Sequence, residues 1–280
     1  MIHPIHSLPE VQRLEKLAVR STTPCGPTGH MVWRRWGNGP PIVFLHGGSG
    51  SWTHWIKNID ALAASHTLWI ADLPGCGDSD LPPGAVDADG IFQTVVTGIT
   101  QQFKGAPVDL VGFSFGSMVS GFVAAHAPHL IKRLLLVAPP ALGLRRASLG
   151  LKSLSVPMTE EQRELAIRHN LQRMMLHDPA AVDDLAVALH AANFSRDRLR
   201  KRRISRGLIM AELQTRWRCP VTVMCGREDP LAKIDLHLLP EALRLCDLRE
   251  LLLVDHAGHW LQYEQPGVFD AAVERLLGAS

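Results

Sequence analysis

Six short apolar runs punctuate the chain, at residues 41–46, 67–72, 108–111, 131–138, 220–225 and 248–254, each followed by a polar or glycine-rich stretch. Four to eight residues is strand length rather than helix length, and the runs show little alternation of apolar and polar positions. A strand apolar on both faces belongs in a parallel sheet covered on both sides. Between the runs lie stretches with helical patterning, at residues 55–64, 90–103, 115–127 (stopped at Pro128) and 267–277. Strand and helix therefore alternate, which predicts an α/β fold with a mostly parallel central sheet and helices on both faces. Residues 11–22 and 30–36 have strand character, and Pro24, Gly26, Pro27 and Gly29 between them predict a hairpin at the sheet edge. From about residue 143 to 207 the strand signal vanishes and charged, helix-forming segments take over, notably 160–176 and 180–192. The division expected is a core of residues 1–140 and 208–280, interrupted by a helical insertion at 141–207 lying over the sheet.

Bulk composition narrows the class. The 280 residues are 46% hydrophobic and 20% charged, enough for a sizeable core. A net charge of +2 gives no particular attraction to nucleic acid or to a membrane surface. The five cysteines, Cys25, Cys76, Cys219, Cys225 and Cys246, are scattered without a C-x-x-C pair, which fits a reducing compartment better than a disulfide framework. The first residues lack a basic and apolar leader pattern, and no uncharged apolar run reaches membrane-spanning length. The expectation is a cytoplasmic protein whose partner is a small molecule, with neither nucleic acid nor membrane as a partner; a homodimer stays open.

The chemistry concentrates where the apolar runs end. The run at 108–111 leads into Gly112-Phe113-Ser114-Phe115-Gly116, and an apolar helical stretch follows at once. This is G-x-S-x-G in strand–turn–helix context, a nucleophile elbow. Small residues two before and two after the serine let strand and helix approach closely. The hydroxyl stays exposed, and the next backbone N–H, that of Phe115, lies at a helix N-terminus, where it can stabilise an oxyanion. The loop Gly47-Gly48-Ser49-Gly50 has neither the Gly-Lys-Ser/Thr of a P-loop nor a complete G-x-G-x-x-G, since Thr53 stands where the last glycine belongs. A serine nucleophile needs a base, and the base needs a carboxylate. Ser114, Asp229 and His259 all follow predicted strands, where open α/β sheets place their sites. His256 competes with His259, and Glu228 and Asp255 compete with Asp229. The plainer readings are a turn bond for Asp72, a packed residue under the loop for His46, and an inert thiol for Cys76. The basic run from Arg196 to Arg206 (Arg196, Arg198, Arg200, Lys201, Arg202, Arg203 and Arg206) reads mostly as a solvated face. A sharper reading has one arginine entering the pocket to meet a substrate carboxylate.

Five stretches in this order resemble the α/β-hydrolase superfamily: His46-Gly-Gly-Ser-Gly-Ser-Trp, Asp72-Leu-Pro-Gly-Cys-Gly-Asp-Ser, the elbow, Gly226-Arg-Glu-Asp-Pro and His256-Ala-Gly-His-Trp. The resemblance implies an α/β-hydrolase fold with a helical cap. It also implies Ser114 as nucleophile, Asp229 as acid and His259 as base, with an oxyanion hole from the N–H of Phe115 and that of Gly48 or Ser49. Ser49, Trp52, Phe113 and Trp260 are the expected substrate contacts. Met174 and Met175 are pocket candidates as much as core residues. No cofactor and no metal is implied. Serine at position 114 separates the chain from epoxide hydrolases and haloalkane dehalogenases, which use aspartate there. The stretch from His256 to Pro266 is similar to hydrolases that cleave carbon–carbon bonds in aromatic ring-fission products. Those enzymes carry Asn before the nucleophile and a Gly pair after it, where this chain has Phe113, Phe115 and Ser117. Proline iminopeptidases share the His-Gly-Gly loop but not this elbow. The activity expected is carboxylic-ester hydrolysis of a small or medium, largely apolar substrate. The alternatives are carbon–carbon bond hydrolysis or a non-catalytic ligand receptor.

Overall fold

The computed structural model describes residues 5–145, 147–154, 156–199 and 202–278. The N-terminal hairpin comprises β1 (Val19–Cys25) and β2 (Gly29–Trp36). The six apolar runs follow as β3 (Pro41–Leu45), β4 (Thr67–Ala71), β5 (Val108–Phe113), β6 (Ile131–Val137), β7 (Val221–Gly226) and β8 (Leu248–Val254). They form one eight-stranded sheet in the order β1-β2-β4-β3-β5-β6-β7-β8. Strands β4, β3, β5, β6, β7 and β8 pair in parallel, and β2 joins β4 antiparallel.

The absence of a polar strand face has its cause in two apolar layers. Along β3, Val43 and Leu45 face one layer while Ile42 and Phe44 face the other. Leu134 and Leu136 of β6 point to the first layer, and Leu135 and Val137 to the second. Helices α3 (Ala88–Phe103) and α4 (Phe115–His126) cover the first layer. The second is covered by α1 (Pro9–Leu17), α2 (Ile59–Ala63) and the C-terminal helix.

Two boundaries differ from the sequence reading. Residues 11–22 do not run as one strand. Pro9, whose fixed φ suits the first turn of a helix, opens α1, and Val11 and Leu14 form its buried face before β1 begins. The helix expected at 55–64 is split into a 3-10 turn, Trp52–Trp55, and the short α2.

Between β6 and β7 lies the inserted helical region, with α5 (Glu160–Asn170) and α6 (Asp184–Ser195); α7 (Pro266–Leu277) closes the chain. A π-turn, Leu171–Met175, continues α5. The insertion shares the second apolar layer: Ile167, Leu171 and Val187 cluster with Trp55 and Trp260 of the core. Polar bolts add direction. Asp183 caps α6 through the N–H of Ala186 and accepts the Tyr263 hydroxyl at 2.6 Å, and the Trp260 N–H donates to Met175 O at 2.7 Å. Among the described residues no helix is long and apolar enough to cross a membrane.

Candidate active site

The loops after β3, β5, β7 and β8 leave the sheet at the carboxyl ends of its strands and converge under the insertion. Ser114 stands between β5 and α4 at φ 51°, ψ −112°. A non-glycine residue adopts positive φ at a cost of about 1–3 kcal/mol, so the surroundings must hold it there. They do so by close packing. A Cβ on Gly116 would lie 2.2 Å from Leu45 O, and one on Gly112 2.6 Å from Gly116 O, so neither position admits a side chain. The N–H of Ser114 donates to Val137 O at 2.8 Å, tying the turn to β6.

Ser114 Oγ lies 2.8 Å from His259 Nε2, and His259 Nδ1 lies 2.7 Å from Asp229 Oδ2. A carboxylate only accepts hydrogen bonds, so Nδ1 carries the proton and Nε2 is left to accept from the serine. Asp229 is 1% exposed, and its other oxygen accepts the Leu231 N–H at 2.8 Å, which fixes the carboxylate plane. The competitors stand elsewhere. Asp255 is an exposed partner of Arg227, and His256 is exposed at a positive-φ turn. Asp72 is structural: it accepts the N–H groups of Trp52 and Asp78 and pairs with the buried Arg34. His46 lies under the loop, bonded to Gly47 O and to the Leu73 N–H. Burial pushes the Cys76 thiol well up, which leaves it protonated and unreactive.

The triad opens into a cavity of about 450 Å³ with a largely apolar lining that includes Phe113, Phe115, Leu142, Leu144, Met174 and Leu231. Gly48 and Ser49 also line it, so Phe115 and both candidates for the second oxyanion donor border the same cavity as Ser114. Both methionines of the π-turn reach it as well. Trp52 and Trp260, expected as substrate contacts, do not line the cavity. Trp52 packs against Trp36 with ring centroids 5.4 Å apart, and Arg34 covers its ring. Trp260 stacks on Tyr263 at 4.3 Å and donates its indole N–H to His54 O. The 3-10 turn from Trp52 brings His54, rather than Trp52, against Phe113 of the elbow.

His54 went unmarked by any motif. It is buried against Phe113, and its Nδ1 accepts the Gly47 N–H at 3.1 Å, bracing the loop beside Gly48. Burial, with His46, His190 and His259 nearby, keeps its pKa well below the ordinary value, so it braces as a neutral ring. A second unmarked residue is Asp197, the acid inside the basic run. It is 2% exposed and pairs with Arg202 at 2.7 Å. Burial opposes its charge, but Arg202 and the hydrogen bonds from Ser49 and Leu199 hold its carboxyl below the usual range. Among the described residues of the basic run, Arg202 lines the cavity. Arg196 pairs with Asp78, Arg198 binds Ser79 O, and Arg200 and Lys201 lie outside the described residues. A lone carboxylate amid so many cations was the signal available in the sequence. Among the described residues no three metal-binding side chains converge.

Comparison with known proteins adds to this geometry. The model of the Alpha/beta hydrolase family matches residues 42–272. The chain is 26% identical to the 2-hydroxy-6-oxononadienedioate/2-hydroxy-6-oxononatrienedioate hydrolase of Cupriavidus pinatubonensis, over 85% of this chain and 86% of that protein. It is 28% identical to the pimeloyl-[acyl-carrier protein] methyl ester esterase of Chromobacterium violaceum, over 82% and 91%. Matches of higher identity are shorter, as in one at 36% that spans 38% of this chain and 28% of the relative. Among solved structures, an esterase from Rhodococcus sp. superposes with a TM-score of 0.76 at 22% identity, covering 93% of this chain and 98% of that one, a likeness of fold.

Proposed function

Since this chain belongs to the alpha/beta hydrolase family, we propose that it is a serine hydrolase that cleaves a carboxylic ester of a small or medium, largely apolar substrate. The observation that carries this reading is the unbroken Ser114–His259–Asp229 hydrogen-bond chain facing an apolar cavity of about 450 Å³. The size suits a small-molecule ligand.

In this reading His259 Nε2 takes the Ser114 proton as Oγ attacks the ester carbonyl. The N–H groups of Phe115 and Gly48 receive the oxyanion. Asp229 orients the ring and stabilises the imidazolium. Collapse of the tetrahedral species breaks the C–O bond, and His259 Nε2–H protonates the departing alcohol. Water, deprotonated by the same nitrogen, then attacks the acyl-enzyme and releases the acid, returning the proton to Ser114. Residues 141–207 act as the cap that shapes the acyl pocket. Five unpaired cysteines, four of them buried, support a reducing, cytoplasmic setting.

Carbon–carbon hydrolysis is the second reading, favoured by the likeness to the Cupriavidus hydrolase. The substrates in that enzyme's name are dioates. Here Arg202 is already neutralised by Asp197, and Lys152, the other cation that lines the cavity among the described residues, is exposed. A doubly anionic substrate is therefore poorly provided for, and the neutral ester is preferred.

p-Nitrophenyl esters of graded chain length, given to wild type and Ser114→Ala in parallel, test the proposal. The expected result is turnover with an optimum at short or medium chains, lost by at least about 10³-fold in the variant. Equal turnover by both proteins would remove Ser114 from the reaction. Cleavage of a vinylogous diketone with no ester turnover would move the assignment to the second reading.

A further inference from the structure

The insertion reaches down to the loop after β3 through one cluster. Ser49, at φ 48°, donates its hydroxyl to Asp197 Oδ2 at 2.7 Å and accepts from Arg202 Nη2 at 3.0 Å. Arg202 grips both carboxylate oxygens of Asp197, Nη2 to Oδ2 at 2.7 Å and Nη1 to Oδ1 at 3.3 Å. The guanidinium lies close over the loop: a Cβ built on Gly48 would lie 3.3 Å from its carbon, so a side chain there would push the guanidinium back by a few tenths of an ångström. Its other neighbour is the Phe115 ring, with the guanidinium carbon 5.0 Å from the centroid. Arg202 thus touches both residues whose N–H groups are read as the oxyanion donors, and hydrogen-bonds the residue beside one of them. Asp197 is itself fixed, accepting the Leu199 N–H at 2.9 Å, while the neighbouring Arg198 N–H donates to Gly75 O at 2.8 Å.

We propose that Arg202, held by Asp197, is a positioning residue for the oxyanion hole: it clamps Gly48, Ser49 and Phe115 against the insertion, so that acyl transfer at Ser114 requires this segment to be seated. The proposal rests on the reading of Ser114 as nucleophile and of Gly48 and Phe115 as donors. Its physical basis is tolerance. Donors must sit within about 0.5 Å of the productive position to stabilise an oxyanion, and supporting side chains set that precision. A serine at positive φ does not hold a loop by itself; the two charge-assisted hydrogen bonds to its hydroxyl do. A substrate carboxylate would have to displace Asp197 to reach Arg202, so the cluster is built to hold the loop rather than to bind an anion.

The test compares wild type with Ser49→Ala, Arg202→Lys and Arg202→Met. One readout is kcat and KM on p-nitrophenyl butyrate, and the other is the limiting rate of inactivation by a fluorophosphonate, which reports attack by Ser114 without needing ester turnover. Thermal midpoints show which variants are folded. The expected result is a kcat loss of about tenfold in Ser49→Ala and about 100-fold in Arg202→Met, with KM within about twofold, since the lost interaction acts in the transition state. Arg202→Lys should fall between, keeping the charge without the planar fork. The fluorophosphonate rates should follow the same order. Should Arg202→Met fail to fold, Ser49→Ala, which leaves the ion pair intact, decides alone. Unchanged kcat in folded Ser49→Ala overturns the clamp, and so does a rise in KM alone, which would make Arg202 a substrate contact. Wild type labelled by the fluorophosphonate but inert to esters would sink the ester reading and leave the labelling rates to judge the clamp. Wild type that resists labelling would sink both.

Discussion

Ser114 keeps its strained backbone without help from its own side chain, whose hydroxyl is free for His259. The support comes from Gly112, Gly116 and Val137, and this explains why the turn was legible in the sequence: the glycines that permit the strain are its neighbours. The meeting of His259 and Asp229 with Ser114 was legible for a similar reason, each following a strand end and a glycine. Asp197 and His54 were not. Ser49 and Asp197 are 148 positions apart, and no local pattern announces such a contact. Trp52 and Trp260, expected in the pocket, instead complete a core layer, as large aromatics at loop bases readily do. His190 offers a prediction at this scale. It lines the cavity and stacks near Phe194, and burial pushes its pKa down to about 4. Between about pH 4 and 6.5 the unfolded chain binds a proton there that the folded protein does not, so stability falls as pH falls through that window. Urea unfolding of wild type and His190→Gln at pH 7 and pH 5 should show the variant losing roughly 2 kcal/mol less on acidification. Parallel losses would mean that the histidine is protonated in the folded state.

At the scale of elements, α5 and α6 show how the insertion is both formed and fixed. Thr159 and Gln162 close a reciprocal capping box on α5, a T-x-x-Q signature visible in the sequence. The α6 cap is different in kind. Asp183 serves the helix, the Tyr263 hydroxyl and, at 3.6 Å, the Lys57 ammonium at once. Burial and that carboxylate push the Tyr263 phenol well up, so it stays a donor. Removing the acid therefore unfastens the insertion from the core as well as uncapping a helix. Asp183→Ala should cost about 2 kcal/mol by denaturant unfolding, and Tyr263→Phe about half as much. Equal effects would show that the cap contributes nothing beyond the tyrosine bond. The boundary errors belong to this scale too. The strand pattern at 11–22 mixed the apolar stripe of α1 with the start of β1, and a buried two-residue stripe carries too little periodicity to separate them.

The molecule as a whole follows from strands with no polar face, which only a doubly covered sheet satisfies. That was readable from the six apolar runs, and so was the interruption of the pattern by the insertion. The way the insertion seats on the core was not readable, because its apolar residues join the layer of the sheet rather than a layer of their own. The cavity between the two is what a sequence leaves out: its volume and lining come from π-turn methionines, both elbow phenylalanines and an arginine supplied by segments far apart in the chain.

The central claim is that catalysis runs through an acyl group on Ser114. Intact-protein mass spectrometry after mixing with a slowly deacylating ester, followed by peptide mapping, reads that directly. The account predicts a single acyl mass that grows and decays with turnover, maps to the peptide holding Gly112 to Gly116, and is absent in Ser114→Ala. An adduct on any other residue that tracks turnover, or undiminished turnover by Ser114→Ala, would contradict it.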